Sequence, residues 1–129
     1  MNFSDIFSRT KTIAIVGISK KPERPSYQVA QYLISQGFQI IPVNPAIKDI
    51  FGQPCYPTLK EIPFKIDMVD VFRKAEDCFE IAQDAVFIGA SCLWLQIGVI
   101  NEQAAQYAQD HGLDVVMDYC TKIEHQHLS

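Results

Sequence analysis

Runs of apolar, β-branched residues alternate along this chain with stretches whose apolar positions recur at helical spacing. Thr12–Gly17 (TIAIVG) is almost wholly apolar, as expected of a strand covered on both faces. In the segment after it, Val29, Ala30, Leu33 and Ile34 fall on one helical stripe. Pro25 or Ser26 can start that helix and Gly37 can end it. Phe38–Asn44 predicts a second strand, Ile66–Phe72 a third, Ser91–Gln96 a fourth and Leu113–Asp118 a fifth. Glu76–Ile88 reads as a helix with Cys78, Ile81, Ala82 and Ala85 inward. A further stripe of Ala104, Ala105 and Ala108 is capped by Asn101 and closed by Gly112. The connection Pro45–Lys65 is punctuated by Gly52, Pro54, Pro57 and Pro63, with one helical turn expected at TLKEIP. Residues 1–11 hold a short leading helix with Ser4 as its cap. Residues 119–129 form a polar C-terminal tail with room for one short helix.

Strands and helices in this alternation predict an α/β fold: a Rossmann-like five-stranded parallel sheet with helices on both faces. The expected strand order is 3-2-1-4-5 rather than 2-1-3-4-5, two orders that the pattern separates poorly. No repeat and no linker interrupts the chain, so residues 1–129 are expected to form a single domain.

Composition narrows the class. Of 129 residues, 48% are hydrophobic and 20% charged, as in a globular protein, and the formal net charge of −4 argues against a general nucleic-acid binder. No apolar run approaches the length of a membrane span, and the N-terminus lacks a secretory pattern. Cys55, Cys78, Cys92 and Cys120 are widely spaced, which predicts reduced thiols and a cytoplasmic protein.

The cations are not evenly spread. Lys20, Lys21 and Arg24 follow the first strand, Lys48 the second, and Arg73 and Lys74 the third. Six of the eleven Lys and Arg residues therefore fall in three loops that share the C-terminal edge of a parallel sheet. That edge, with the helix beginning near Ser26, predicts an anionic ligand. A dinucleotide such as NAD fits poorly. The first turn reads Gly17-Ile18-Ser19-Lys20-Lys21-Pro22, with one glycine where the fingerprint needs three, and no carboxylate follows the second strand until Asp49.

VGISKKPERPSYQVAQYLISQGFQIIPVNP, YPTLKEIP, DMVDVFRKAE, IGASCLWLQIGVINEQAA and GLDVVMDYC, in this order, resemble the small single-domain CoA-binding protein family. That family is similar in turn to the CoA-binding domain of the succinyl-CoA synthetase α subunit. The resemblance runs from Thr12 to about Leu128. It implies a Rossmann-like, nucleotide-binding fold whose strand ends hold coenzyme A or an acyl-CoA. Carried over by position, Gly17, Ile18 and Ser19 line the first turn, with Lys20 and Arg24 near phosphates. Val43, Asn44 and Pro45, with Lys48 beyond, form the second contact segment, and Val71, Phe72 and Arg73 the third. Gln96, Ile97 and Gly98 follow the fourth strand, and Asp118 and Cys120 the fifth. The chain departs from the family pattern at Tyr119, where an Arg is usual, and at Thr121, where a Pro is usual.

Other residues carry less. Cys120, at a strand's end, could face the pantetheine thiol; the plainer expectation is a quiet, partly buried cysteine. His125 and His127 are expected in a solvated tail rather than at a metal. Trp94 is expected in the core, and Asp70, inside an apolar run, needs a partner if buried. No nucleophile–base pair or convergent carboxylates stand out, so no catalytic residues are assigned. The expected function is binding of coenzyme A or an acyl-CoA without evident catalysis. The alternatives are an acyl-CoA-handling enzyme subunit completed by a partner chain, and a regulatory domain for another nucleotide. No nucleic-acid or membrane partner is expected.

Overall fold

The computed structural model describes residues 2–128. Its main sheet has five parallel strands: β1 (Thr12–Val16), β2 (Gln39–Val43), β5 (Met68–Val71), β6 (Cys92–Leu95) and β7 (Asp114–Met117). A two-stranded hairpin, β3 (Asp49–Ile50) and β4 (Gln53–Pro54), lies in the long connection after β2. The helices are α1 (Phe3–Ser8), α2 (Pro25–Ser35), α3 (Cys78–Phe87), α4 (Glu102–Asp110) and α5 (Thr121–Gln126). The predicted helical turn in TLKEIP is a 3₁₀ turn at Leu59–Glu61. Asn101 caps α4 through Ala104 N–H at 2.9 Å, as expected, but α1 is capped by Asn2 rather than Ser4.

The strand order is β2-β1-β5-β6-β7, which for the five main strands is 2-1-3-4-5 and corrects the expected 3-2-1-4-5. The physical reason lies in β2. Pro42 has no N–H and suits an edge strand, whereas 3-2-1-4-5 would put β2 between two neighbours. Here β2 pairs with β1 on one side, and on the other it meets a single bridging residue, Tyr56. The Pro42 carbonyl points outward and accepts from Tyr56 N–H at 3.0 Å, so the missing donor faces the same open side.

This order also explains the layers. Moving from β1 to β2 and then back across to β5 reverses direction along the sheet, and right-handed crossovers then fall on opposite faces. One face carries α3, α4 and the Leu59–Ile62 segment over Ala14, Val16, Ile41, Val69, Val71, Leu93, Leu95 and Val115. The other carries α2 over Ile13, Ile15 and Ile40. With α2 alone, that second face would leave Met68, Trp94 and Val116 bare, so the chain's two terminal helices cover them. Phe3 and Phe7 of α1 stack on Trp94 at 5.5 and 5.4 Å, and Trp94 Nε1 donates to Tyr119 O at 2.8 Å. Arg9 fixes α1 to β7 through Asp114 at 2.7 Å.

The tail is therefore not solvated at His125. Its ring meets Phe7, Tyr32 and Phe38 at 5.1–5.6 Å, and its Nδ1 pairs with Tyr32 Oη at 2.7 Å. Asp67 has a comparable structural task. Its carboxylate accepts from Lys11 and Thr12 N–H at 2.8 and 3.1 Å and sets the starts of β1 and β5 side by side.

Candidate functional site

In an open parallel sheet, two neighbouring strands whose connections leave in opposite directions open a crevice at their C-terminal ends. In this order those strands are β1 and β5. Gly17 follows β1 with φ +87°, and a Cβ there would stand 2.6 Å from Phe72 O and 2.8 Å from Arg73 Cδ. Glycine thus meets two needs at once, a left-handed turn and contact with the loop after β5. Phe72 N–H to Val16 O at 2.8 Å and Gly17 N–H to Val43 O at 2.9 Å hold the three strand ends together.

The first loop is braced from within. Asn44 Nδ2 donates to Ile18 O at 2.7 Å, Ser19 N–H donates to Ser26 Oγ at 2.9 Å, and Lys21 N–H donates to Ser19 Oγ at 3.1 Å. Pro25 occupies the first position of α2, and no side chain caps the helix start. These bonds fold the loop so that its backbone and Arg24 flank a cleft.

The Gly17–Arg73 contact divides the cleft into two lobes. The larger, about 490 Å³, runs from Ser19, Arg24, Pro25 and Ser26 past Phe72, Arg73 and Lys74 to Gln96, Ile97 and Cys120. It gathers three cations and no carboxylate. The smaller, about 190 Å³, lies between Val43, Pro45, the Pro57–Leu59 segment and α3. Asp77, Glu80 and Asp84 line it opposite Arg73, whose Nη2 reaches Asp77 Oδ2 at 3.1 Å. An acidic chain thus places local positive charge in the larger lobe and acceptors in the smaller.

Of the residues singled out in the sequence, Gly17, Ser19, Arg24, Phe72, Arg73, Gln96, Ile97 and Cys120 meet in the larger lobe, and Val43 and Pro45 in the smaller. Ile18 and Val71 are fully buried and support the walls from behind. The Asn44 side chain is engaged with Ile18 O and Ala46 N–H. Lys20 faces Asp49 at 4.0 Å, and Lys48 lies in a separate depression beside the hairpin. Gly98 N–H is held by Asp118 Oδ1 at 2.7 Å, with Asp118 itself at φ 69°. Ser26, Val29, Lys74 and Val99 also line the larger lobe, and Pro57–Leu59 and the α3 carboxylates line the smaller; sequence reasoning does not assign them. Lys74 is legible only as part of the loop charge. The return of Pro57–Leu59 alongside β2 leaves no periodic signal.

Beneath the larger lobe lies a buried polar group. Asp70 has no exposed surface; Thr121 Oγ1 donates to its Oδ2 at 2.8 Å and Gln96 Nε2 donates to its Oδ1. Gln96 Nε2 also donates to Thr121 Oγ1 at 2.9 Å. Burial pushes the Asp70 carboxyl up to about 7, against the opposing pull of Gln96 and Thr121. Cys92, on the same sheet face, is pushed up to about 12 by burial and by the charges of Asp114 and Asp70. Cys120 is half-buried at the foot of α5 and faces the lobe. Among the described residues, no three His, Cys, Asp or Glu side chains are grouped to hold a metal ion, and no helix is long and apolar enough to cross a membrane.

Comparison with known proteins places this cleft in context. Residues 11–126 match the family model described as CoA binding domain. The chain is 40% identical over 121 residues to the Bacillus subtilis (strain 168) protein YneT, described as uncharacterized, covering 94% of this chain and 90% of that one. It is 35% identical over 118 residues to Acetate--CoA ligase [ADP-forming] II of Archaeoglobus fulgidus, covering 81% of this chain but 17% of the ligase. Among solved structures, a hypothetical protein from Pyrococcus horikoshii OT3 superposes with a TM-score of 0.95 at 37% identity, covering 99% of this chain and 92% of that one.

Proposed function

The chain belongs to the CoA-binding domain family, and from that premise and the shape of the cleft we propose that it binds coenzyme A or an acyl-CoA across the ends of β1 and β5. The observation that carries the reading is the larger lobe: Arg24, Arg73 and Lys74 line it with no carboxylate in its own wall, Arg73 being shared with Asp77 of the smaller lobe, in a chain of net charge −4. Coenzyme A carries a pyrophosphate and a 3′-phosphate and needs several such donors. In this reading the pyrophosphate lies against the start of α2 beside Arg24, while Gly17 brings the β5 loop with Arg73 close to the same lobe. The adenosine enters the smaller lobe, between the apolar walls of Val43 and Pro45 and carboxylates able to accept from its amine. The pantetheine arm follows the larger lobe toward Ile97, Gln96 and Cys120.

The cleft supplies cations, backbone donors and apolar walls, and the reading is of a binding module. A second reading is supported by the acetate–CoA ligase relative, of whose length the chain spans about a sixth. In it, the chain binds the acyl-CoA while a partner chain supplies the reaction, and the exposed Ile97 at the cleft rim (65% accessible) offers a contact.

Calorimetric titration with coenzyme A, acetyl-CoA, 3′-dephospho-CoA, NAD and ATP at two salt concentrations tests the proposal. Coenzyme A is expected to bind, more weakly at high salt and more weakly still without the 3′-phosphate. Binding of NAD or ATP with none of coenzyme A refutes the reading.

A further inference from the structure

The triad of Asp70, Gln96 and Thr121 is buried, fully hydrogen-bonded, and has one member in the wall of the larger lobe. In the arrangement seen, three hydrogens fill it. The two N–H groups of Gln96 point to Asp70 and Thr121, and the Thr121 hydroxyl points to Asp70. The carboxylate receives two donors and gives none, so this is the pattern of an ionised Asp70. It leaves the carboxamide oxygen of Gln96 outside the triad.

Adding one proton to Asp70 breaks the pattern, because the carboxyl group must now donate. If the proton sits on the oxygen facing Gln96, it meets an N–H where it needs an acceptor. If it sits on the oxygen facing Thr121, it donates to Thr121 Oγ1 and turns the Thr121 hydrogen away from the carboxyl group, and the Gln96 N–H groups offer that hydrogen no acceptor. Rotating the Gln96 amide, so that its oxygen enters the triad and its N–H groups leave it, gives the extra hydrogen an acceptor in either case. An unsatisfied donor in a site with no exposed surface is otherwise costly.

We propose that Asp70 acts through Gln96 as a positioning residue: its protonation decides whether the amide presents an acceptor or a donor to the larger lobe, and so links ligand binding there to a proton. The ligand half of this statement rests on the coenzyme A reading, whose pantetheine amides would meet Gln96; the amide rotation does not. Among the described residues no cation contributes to the Asp70 shift, and Lys122 of α5 lies over the Tyr32 ring. From β6 the titratable neighbour is Cys92, which stays a thiol well above neutrality. From α5, Cys120 faces the lobe and His125 faces the Phe7, Tyr32 and Phe38 rings. From α1, Arg9 is paired with Asp5 and Asp114 at the opposite end of the strands, and the cations Arg24, Arg73 and Lys74 sit above in the lobe. Burial raises the Asp70 carboxyl to about 7, which brings its titration toward neutral pH.

Two measurements test it. In ligand-free protein, the Asp70 carboxyl carbon and the Gln96 side-chain amide are followed by NMR from about pH 5.5 to 8.5. The amide resonances are expected to titrate with the Asp70 midpoint, and Asp70→Asn to flatten them. Thr121→Val, which keeps the carboxyl group but removes a donor to its ionised form, is expected to move the midpoint upward. Gln96 resonances that stay fixed while Asp70 titrates overturn the proposal. Coenzyme A affinity is then measured at about pH 6 and pH 8. The ratio of the two affinities is expected to differ at least about threefold between wild type and Asp70→Asn; a ligand that moved the Asp70 midpoint from about pH 7 to about pH 6 would change affinity by at most about tenfold. Equal ratios overturn the linkage. Absence of coenzyme A binding at every pH refutes the coenzyme A reading instead, while the NMR titration still decides the rotation.

Discussion

Replacing Gly17 by alanine tests the architecture of the cleft. Two penalties add at this position. The left-handed backbone, φ +87°, costs a side-chain-bearing residue about 1–2 kcal/mol. The new Cβ also arrives 2.6 Å from Phe72 O, a backbone atom of a residue whose own N–H is bonded to Val16 O, and 2.8 Å from Arg73 Cδ, which can swing away. Forcing the two loops apart resembles overpacking a core and costs about 1–3 kcal/mol more. The total is about 2–5 kcal/mol. Gly37, which ends α2 at φ +94° with nothing within 4 Å of its notional Cβ, carries the first penalty without the second. Urea denaturation of Gly17→Ala and Gly37→Ala, compared at equal slope, therefore isolates the cost of the close approach. Gly17→Ala is expected to lose about 1–3 kcal/mol more than Gly37→Ala. Equal losses would refute the claim that the loop contact requires glycine.

Other expectations follow from single groups. The Asp70 carboxyl is raised by burial from an ordinary 3.8 to about 7, so between these values the folded state holds a proton that the unfolded state has released. Its contribution to stability is therefore present below about pH 4, is lost as pH rises from about 4 to about 7, and is flat above. Asp70→Asn should remove that slope and be the more stable protein at about pH 8, by up to about 4 kcal/mol, as read by denaturation at several pH values. A variant that keeps the wild-type slope counts against the raised value. His125→Ala removes the Tyr32 bond and the ring contacts and should cost about 1–3 kcal/mol, with faster hydrogen exchange in α5; unchanged exchange would mean that the ring does not anchor the helix. Arg24→Ala and Lys74→Ala should each weaken coenzyme A about tenfold and reduce its salt dependence, whereas Lys48→Ala, in its separate depression, should do neither. An effect at Lys48 as large as at Arg24 would move the anion site.

The layers and the cleft are legible where local signals suffice. The β-branched runs, the alanine stripe of α4 and the Asn101 cap each specify an element by itself, and Gly17 with the loop cations locates the cleft edge. Strand order is harder, although Pro42 holds the clue: a residue without an N–H belongs at an edge, and weighing it favours 2-1-3-4-5. The structural roles of Asn44, Lys20 and Gly98 depend on partners 26, 29 and 20 positions away, and no local pattern reports such pairings. His125 escapes a sequence reading because a polar tail composition hides the aromatic rings that α1, α2 and Phe38 bring to it. Asp70 is recognisable as needing a partner, but Gln96 and Thr121 lie on other elements and meet it only in the folded sheet.

Occupancy of the cleft between the ends of β1 and β5 by coenzyme A is open to direct observation. Titrating coenzyme A into ¹⁵N-labelled protein tests this most directly. Saturable backbone shifts are expected at Gly17, Ser19, Phe72, Arg73, Gln96 and Cys120, with Lys48–Pro54 and His111 unmoved. Shifts confined to the hairpin, or none at all under conditions where the protein is folded, would contradict it.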